Sequence, residues 1–447
     1  MTIEANFDSL VGPTHSYAGL SPGNLAAAGS RGQVSHPRQA ALQGLAKMRL
    51  VRGLGVAQYL LPPQERPHMP TLRRLGFTGS DADVIAAVAK TSPHLLAQAA
   101  SSSSMWAANA ATVAPSVDTR DGRVHIAVAN LATLFHRSIE AEGTFNTLAR
   151  IFSNSAHFVV HRNLPSHVSF GDEGAANHMR LARSHGEPGV HVFVYGKSAD
   201  GPNAATPVPV RQSREASEAV ARLFHLQKGR AMFIRQNPAA ISAGTFHNDV
   251  VGTSNENVLM FHEAAYDPGE IAQLLDVCES EVGPAFCPIR IHQNDLTLDE
   301  AISTYLFNGQ IVTLPNGKMA IVAPAECEEN PRAKAVLERV REVGDNPITE
   351  VRYVDMRQSM KNGGGPACVR LRVCLTAEER AAVHPECEFN ERLDEKLTSW
   401  VIRHYREKLS PEDLADPHLL VESRTALDEL TAILGLGAMY EFQQESG

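Results

Sequence analysis

Short runs of apolar residues recur along the chain, and turn-forming residues bound each run. Such runs predict β-strands, several of them too continuous in apolar character to have one face in water. Turn residues at Asp121-Gly122, at 255–257 and at Asn316-Gly317 join strands into hairpins, and the Asn-Gly pair is the strongest signal of the three. The predicted strands cover residues 123–129, 190–196, 249–254, 257–263, 309–314 and 318–324.

Helical periodicity separates these strands. Residues 213–224 and 271–282 repeat apolar side chains at intervals of three and four, as an amphipathic helix does. A hydroxyl residue followed three positions later by an acid predicts the first turn of a helix, because the two side chains satisfy free backbone N–H groups. This spacing occurs at Thr297 with Glu300, Thr376 with Glu379, and Ser410 with Asp413.

A unit of strand, turn, strand and helix recurs along the chain. Candidate unit starts follow one another at intervals of 64, 74, 61 and 60 residues. This recurrence favours mixed strand–helix units arranged radially, rather than a single parallel sheet, and it therefore indicates an α/β class. The Gly-, Pro- and Ser-rich residues 198–210 are expected to form a surface loop, so residues 1–447 are expected to form a single domain. The unit starts are Asn109, Glu173, His247, Asn308 and Cys368.

Composition narrows the class of protein. The chain has 447 residues, 43% hydrophobic and 20% charged, as ordinary globular proteins do. A net charge of −9 and scattered arginines argue against a nucleic-acid partner. The first residues lack a signal-peptide pattern, and no run of 18 apolar residues occurs, so we expect no membrane partner. The six cysteines lack C-x-x-C spacing, which excludes a disulfide framework and predicts a cytoplasmic protein.

The segment KNGGGPACVRLRV, residues 361–373, has the most unusual local composition. Three consecutive glycines cost backbone entropy on folding, so either the chain turns sharply there or another group approaches the backbone closely. Successive glycine N–H groups also favour an anion such as a thiolate. Cys368 is expected to begin a strand at the mouth of a cleft. It is a candidate nucleophile, although most cysteines are simply buried side chains.

Two further segments supply acid–base groups. His247 and Asp249 are two residues apart, and on an extended strand they would share one face. Asp172 and Glu173 lie between glycines at a predicted strand end. A solvated loop histidine and ordinary turn acids are the alternative interpretation. If strand ends from different units converge, a thiol, an imidazole and carboxylates meet at one place. The two-histidine spacing of zinc enzymes is absent, so we expect no metal.

Five segments in order closely resemble the N-succinylarginine dihydrolase family of the guanidine-modifying, or pentein, superfamily. The resemblance extends nearly from end to end and continues through residues 415–430. It implies a pentein α/β-propeller with five strand–strand–helix–strand modules around a pseudo-fivefold axis. The segments that carry it are residues 7–24, 171–178, 211–223, 246–251 and 362–373.

The resemblance also implies a reaction and the residues that perform it. N2-succinyl-L-arginine and two waters would give N2-succinyl-L-ornithine, carbon dioxide and two ammonia in arginine catabolism. Cys368 would be the nucleophile, His247 the acid and base, and Glu173 the catalytic carboxylate. Asp249 would be a second acid that holds the guanidinium. The other substrate contacts implied are Ala18, Gly19, Leu20, Ser21, Pro22, Gly23, Asn24, Leu25, Ala26, Ala27, Asn109, His136, Arg137, Arg211 and Asn362.

The partner implied is therefore a small-molecule substrate, with no cofactor, and the family expectation is a homodimer. Two related functions stay open at this point. A deiminase acting on free arginine would stop after one ammonia, and a guanidino-ligand binding relative would not turn over at all. A cysteine peptidase is disfavoured because the usual motif around its thiol is absent.

Overall fold

The computed structural model describes residues 2–200, 206–207 and 209–444, so much of the predicted loop 198–210 lies outside the described residues. Its strands are short, and every predicted strand run overlaps one of them. The strands are β1 (Ile3–Ser9), β2 (Ala57–Leu61), β3 (Ala111–Ala114), β4 (Val124–Val128), β5 (Phe158–His161), β6 (His178–Leu181), β7 (Val190–Tyr195), β8 (Ala231–Arg235), β9 (Gly252–Asn255), β10 (Val258–His262), β11 (Cys287–Ile291), β12 (Gln310–Thr313), β13 (Met319–Pro324), β14 (Ile348–Val354) and β15 (Arg370–Leu375).

The described residues form five sheets of three strands, and all five share one pattern of directions. The middle strand is antiparallel to one neighbour and parallel to the other, and the parallel partner follows it along the chain. One sheet joins the first and last strands, because β1 pairs with β15 from Ile3 opposite Leu375 to Asp8 opposite Arg370. The strand orders are β3-β4-β5, β6-β7-β8, β11-β10-β9, β12-β13-β14 and β15-β1-β2.

Helices connect the strands and cover the sheets. Among the described residues no helix has the length and apolar character needed to cross a membrane. The helices are α1 (Leu25–Gly29), α2 (Pro37–Gly53), α3 (Met69–Arg74), α4 (Asp81–Thr91), α5 (Pro93–Ala99), α6 (Phe135–Ser138), α7 (Ala141–Ile151), α8 (Arg214–Leu223), α9 (Pro238–Ala243), α10 (Pro268–Val282), α11 (Leu298–Thr304), α12 (Ala325–Glu329), α13 (Pro331–Glu342), α14 (Arg357–Met360), α15 (Ala377–Ala382), α16 (Glu391–His404), α17 (Pro417–Ile433) and α18 (Glu441–Gln444).

The predicted helix caps are present, with one change at the C-terminal end. Reciprocal capping bonds start α11 at Thr297 and α15 at Thr376. The Ser410 cap also forms, but it begins a short 3-10 turn rather than the long helix itself. The α-helix α17 begins later, at Pro417, where the Asp416 side chain accepts a hydrogen bond from the His418 N–H.

A 3-10 turn stands before the first strand of four sheets. Two of these turns end at the predicted unit starts Asn109 and Asn308, and two begin immediately after Glu173 and His247. Before β15 the glycine-rich residues 363–369 take the same place. The middle strands β4, β7, β10 and β13 are buried at every residue, which explains their continuous apolar runs. The four turns are Ala107–Asn109, Gly174–Asn177, Asn248–Val250 and Leu306–Asn308.

Candidate active site

The predicted catalytic side chains lie immediately before two of these turns and in the glycine-rich segment before β15. Glu173 immediately precedes the turn before β6, and His247 immediately precedes the turn before β9. Cys368 lies two residues before β15, which begins at Arg370. The structure therefore corrects the local predictions. Cys368 does not begin a strand, and Asp249 lies in a 3-10 turn with His247 at its start, so the two do not share the face of an extended strand.

The four predicted chemical groups form one continuous series of contacts. The Cys368 thiol lies 3.3 Å from Asp249 Oδ2, where it donates to the carboxylate. Asp249 Oδ1 lies 3.9 Å from His247 Nδ1. On the other side of the ring, His247 Nε2 lies 2.8 Å from Glu173 Oε2. The convergence expected from the sequence is therefore present for all four residues.

These side chains are buried, which excludes the solvated-loop alternative. Cys368 is 8% exposed, His247 4% and Glu173 2%. Burial opposes the charge on Glu173, but the His247 hydrogen bond and nearby arginines lower its pKa to about 2. Burial and the Asp249 carboxylate raise the pKa of the Cys368 thiol well above its ordinary value. Burial also raises the pKa of Asp249. Cys368 is therefore held as a thiol in this structure.

Backbone contacts hold the Glu173 carboxylate in place. The Asn109 side chain donates to the Glu173 carbonyl at 2.8 Å. Gln212 Oε1 accepts from the Glu173 N–H at 2.7 Å, and Gln212 Nε2 donates to Asp172 Oδ1 at 3.2 Å. Burial raises the pKa of Asp172 to about 6. Asn109, a predicted substrate contact, holds the backbone at Glu173 in this structure. Gln212 was not predicted, although it lies in a segment that carried the family resemblance.

Asp249 is held in a similar way. The Asn308 side chain donates to the Asp249 carbonyl at 2.8 Å. Asn308 was identified in the sequence only as a unit start. Its position at the end of the turn before β12 gives it a second role beside the catalytic turn of β9. Amide side chains at two unit starts therefore support carboxylates that belong to neighbouring units.

The glycine run before the thiol is explained by close approach. Gly363 has a φ of +91°, and a Cβ there would lie 1.7 Å from the Asn24 amide nitrogen. At Gly364 a Cβ would lie 2.7 Å from the Trp106 ring, and at Gly365 2.7 Å from Asn308 Cβ. Each glycine is therefore required for a different neighbour, and the run is packed rather than a loose hinge.

Replacing Gly364 with alanine tests this packing. The added Cβ would lie 2.7 Å from the Trp106 ring and 3.0 Å from Cys368 Cβ, so the thiol or the indole must move. We expect kcat to fall by about 10-fold or more, and the free energy of unfolding to fall by about 1–3 kcal/mol. Steady-state kinetics and urea denaturation measure both.

Gly53→Ala is the matched control, because a Cβ at Gly53 meets nothing within 4 Å. We expect it to leave both quantities unchanged or to stabilise the protein slightly. Unchanged kinetics in Gly364→Ala would contradict the packing argument and would return the run to the role of a hinge.

The predicted substrate loop, residues 18–27, contacts the site from two directions. The Arg211 guanidinium donates to the Pro22 carbonyl at 3.2 Å. Asn24 Nδ2 donates to the Gly363 carbonyl at 2.9 Å, while Asn24 Oδ1 caps α1 by accepting from the Ala27 N–H. The loop is therefore joined both to Arg211 and to the turn that carries the thiol.

Two predicted arginines beside the loop retain unused N–H groups. Among the described residues, Arg137 Nη2 and Arg211 Nε are buried without a hydrogen-bond partner. Arg137 Nε pairs with Glu140 at 3.1 Å, and the Arg211 guanidinium lies 4.6 Å from the Phe246 ring centre. Burial, together with Arg137 and Arg211, lowers the pKa of His136 to about 3. A neutral His136 and two cations thus line one side of the site.

Asn362, another predicted substrate contact, is bonded to the segment that precedes the substrate loop. Its amide donates to the Ser16 carbonyl at 3.1 Å and lies 3.3 Å from His15 Nδ1. In this structure it joins the glycine turn to the segment before the substrate loop. Within the described ranges, no group of three or more His, Cys, Asp or Glu side chains has the geometry of a metal site.

Solved structures with a related fold include cyanobacterial arginine dihydrolases. The substrate-bound N-terminal domain of ArgZ, an arginine dihydrolase from the ornithine–ammonia cycle in cyanobacteria, matches 83% of this chain and 98% of its own. The TM-score is 0.51 at 15% sequence identity. The ArgZ apo structure matches 87% of this chain and 42% of its own, with a TM-score of 0.51 at 15% identity. At this identity the likeness shows the fold alone.

Relatives of much higher identity carry one name. The N-succinylarginine dihydrolase of Nitrosospira multiformis is 55% identical over 99% of both chains. The N-succinylarginine dihydrolase of Shewanella loihica is 51% identical, again over 99% of both. The family model for succinylarginine dihydrolase matches residues 1–443. The chain therefore belongs to the succinylarginine dihydrolase family.

Proposed function

We propose that this enzyme hydrolyses N2-succinyl-L-arginine to N2-succinyl-L-ornithine, carbon dioxide and two ammonia through a covalent adduct on Cys368. The observation that carries the proposal is the buried series from the Cys368 thiol through Asp249 and His247 to Glu173. A thiol, an imidazole and two carboxylates are the groups that covalent chemistry on a guanidinium needs. Family membership supports the succinylated substrate.

The guanidinium is expected to lie between the two carboxylates. It is planar and cationic, and carboxylates pair with its fork of N–H donors in bidentate geometry. Glu173 is ionised, because its pKa is about 2. Asp249 Oδ1 is buried without a hydrogen-bond partner among the described residues, so an acceptor is available for the substrate. The two carboxylates would orient the central carbon toward the thiol.

Substrate binding would also activate the nucleophile. The Asp249 carboxylate raises the pKa of Cys368 in the free enzyme. A bound guanidinium neutralises that carboxylate and brings a positive charge close to sulfur, so it favours the thiolate. His247 Nε2 is occupied by Glu173, which leaves Nδ1, on the side of Asp249, as the atom that exchanges protons.

The chemistry then proceeds in two rounds. The thiolate attacks the central carbon, His247 protonates the departing amine, and ammonia leaves. Water activated by His247 next hydrolyses the S-alkylthiouronium and restores the thiol, giving a ureido group. A second attack expels the second ammonia and leaves a thiocarbamate. Its hydrolysis gives a carbamate, which loses carbon dioxide.

The second round requires that the ureido intermediate stays bound after its positive charge is lost. Arg137 and Arg211 support this step, because each has a buried N–H group without a partner in the described part of the chain. Succinylarginine carries two carboxylates, one on the succinyl group and one on the α-carbon. Two buried guanidinium groups match that pair, and their ion pairs would hold the intermediate through both rounds.

We also propose the larger organisation that the resemblance implies. Five three-stranded sheets with one shared pattern support a propeller of five modules around a pseudo-fivefold axis, folded as one catalytic domain over residues 1–447. All six cysteines are free thiols, which supports a reducing cytoplasm. A homodimer is the family expectation, and the molar mass measured by light scattering tests it.

The proposed reaction is tested by counting ammonia released per substrate consumed. With succinylarginine we expect two ammonia and one carbon dioxide per substrate, and no accumulation of the ureido compound. With free arginine, which lacks the succinyl carboxylate, we expect kcat/KM to be lower by about 10³-fold or more, because a buried arginine is left unpaired. A coupled ammonia assay and mass spectrometry of the products measure these values.

Free arginine also serves as the matched control. One ammonia per succinylarginine with accumulation of its ureido product would contradict double hydrolysis. Equal kcat/KM for the two substrates would contradict the succinyl specificity. Binding without any ammonia release would instead identify a guanidino-ligand binding relative.

A further inference from the structure

A second cysteine–histidine pair lies outside the catalytic series. Cys374 Sγ lies 3.2 Å from His185 Nδ1, and Cys374 is 7% exposed. On the far side of the ring, His185 Nε2 lies 3.6 Å from Glu4 Oε2 and 3.7 Å from Glu256 Oε1. Thr313 Oγ1 lies 3.4 Å from the same nitrogen. The pair has the order of a nucleophile, a base and an orienting acid, and the proposed reaction does not use it.

The charged groups around this pair come from four elements. Glu4 on β1 and Glu256 in the turn after β9 face His185, whereas Arg180 on β6 and Arg372 on β15 act on the thiol. Burial opposes both charges, but Cys374 and Glu4 raise the pKa of His185. Burial likewise raises the pKa of Cys374, but His185 and the two arginines lower it by more, so the net shift is downward. These neighbours therefore favour a thiolate on Cys374 beside an imidazolium on His185.

A cavity gives small molecules room beside this sulfur. The inner cavity, about 110 Å³, is lined by Cys374, His185, Glu256 and Arg370, and it extends to Asp249. Its volume is enough for several water molecules. The buried Arg370 Nε has no hydrogen-bond partner among the described residues, so the cavity lining includes an unused donor for an oxygen atom.

The inner cavity is also close to an opening on the surface. A pocket of about 860 Å³ is lined by Glu4, His185 and Glu256. His185 and Glu256 therefore border both spaces. A molecule of two or three heavy atoms fits the volume of the inner cavity, next to Cys374.

From this geometry we propose that Cys374 is a second reactive thiol, oxidised by small hydroperoxides, with His185 as its proton donor. The sulfur attacks one peroxide oxygen, an S–O bond forms, and the O–O bond breaks. The departing hydroxide or alkoxide takes the proton of the His185 imidazolium and leaves as water or alcohol. Sulfur loses two electrons to the peroxide, and the product is a sulfenic acid. The proposal is independent of the reaction at Cys368.

Three other buried cysteines are internal controls. Burial raises the pKa of Cys278, Cys327 and Cys387 to about 12 in each case. They share the low exposure of Cys374 but have no histidine beside the sulfur among their described contacts. A difference in oxidation rate between Cys374 and these three therefore reports the His185 contact and the cavity rather than burial.

The experiment treats the reduced protein with hydrogen peroxide at pH 7. A Cys368→Ser background removes oxidation of the proposed catalytic thiol. Catalase stops the reaction, dimedone traps sulfenic acid during denaturation, and peptide mass spectrometry gives a rate for each cysteine. We expect Cys374 to be oxidised at least about 10-fold faster than the three controls, since an ordinary thiol is only a few per cent thiolate at this pH.

His185→Gln should lower the Cys374 rate to that of the controls. His404→Gln, which removes a half-buried histidine paired with Glu429 at 2.8 Å, should not. If Cys374 is no faster than the controls, or if His185→Gln leaves its rate unchanged, the proposal is wrong. Should His185→Gln fail to fold, the pH dependence of Cys374 oxidation is measured with His185 in place. The Cys374 oxidation rate should change little from pH 6 to pH 8, and a rise of about tenfold per pH unit would overturn the proposal.

Discussion

Replacing Cys368 with serine should reduce kcat for succinylarginine by at least about 10⁴-fold while substrate binding stays measurable. In the proposed reaction the sulfur is the atom on which the covalent adduct forms, and a serine hydroxyl at this position has no strong base in contact. Its neighbour, Asp249, has a pKa raised by burial but is still a weak base. The guanidinium contacts to Glu173 and Asp249 are unchanged, so the substrate Kd should change little. Ammonia release and calorimetric binding measure the two quantities.

Cys287→Ser is the matched control, because Cys287 is a half-buried thiol on β11, outside the proposed site. We expect it to keep nearly full activity. A Cys368→Ser enzyme that retains more than about 1% of the activity would contradict covalent catalysis by this thiol. Loss of substrate binding in that variant would show that the thiol acts mainly in assembling the site.

Local sequence signals predicted much of the fold, because hairpins and helix caps depend on neighbouring residues. The Asn316-Gly317 turn joins β12 and β13 as expected, with Gly317 at a φ of +77°. The capping boxes at Thr297 and Thr376 formed as expected. What the sequence did not predict was β1 beside β15, because the antiparallel pair of Phe7 and Leu371 joins residues far apart along the chain.

The convergence of Cys368, Asp249, His247 and Glu173 was predicted, but the local geometry was not. The expectation that His247 and Asp249 share one strand face was wrong, because a 3-10 turn lies between His247 and β9. Gln212 and Asn308 were missed as supporting groups. Each bonds to a backbone atom of a residue 39 or 59 positions away, and only tertiary structure shows such a bond. Cys374 with His185 was missed for the same reason, since 189 positions separate them.

The order of the contacts indicates different roles for the carboxylates of Asp249 and Glu173 in the proposed reaction. Asp249 faces the thiol, and its charge opposes thiolate formation until a guanidinium arrives. Glu173 faces the imidazole and is anchored through its own backbone by Asn109 and Gln212. Loss of the Glu173 charge should therefore affect both proton transfer and the stability of the empty enzyme.

Glu173→Gln should reduce kcat/KM by about 10³-fold and should also destabilise the folded protein at neutral pH. The amide keeps the shape of the carboxyl group but lacks the negative charge that strengthens the hydrogen bond with His247 and pairs with the guanidinium. It resembles a permanently protonated Glu173. The folded pKa of about 2 against an ordinary value of 4.5 corresponds to about 3 kcal/mol at pH 7.

The pH dependence distinguishes this origin from general disruption of the fold. Because the folded pKa is depressed, the contribution of Glu173 is present above about pH 5 and is lost as pH falls toward 2. The difference in unfolding free energy between the parent enzyme and Glu173→Gln should therefore be largest near pH 7 and should narrow by pH 3, as urea titrations would measure. The exposed Glu142 supplies the control substitution, Glu142→Gln, which should change neither activity nor the stability profile. A stability difference that is the same at pH 7 and pH 3 would show that packing, rather than the charge on Glu173, is what the substitution removes.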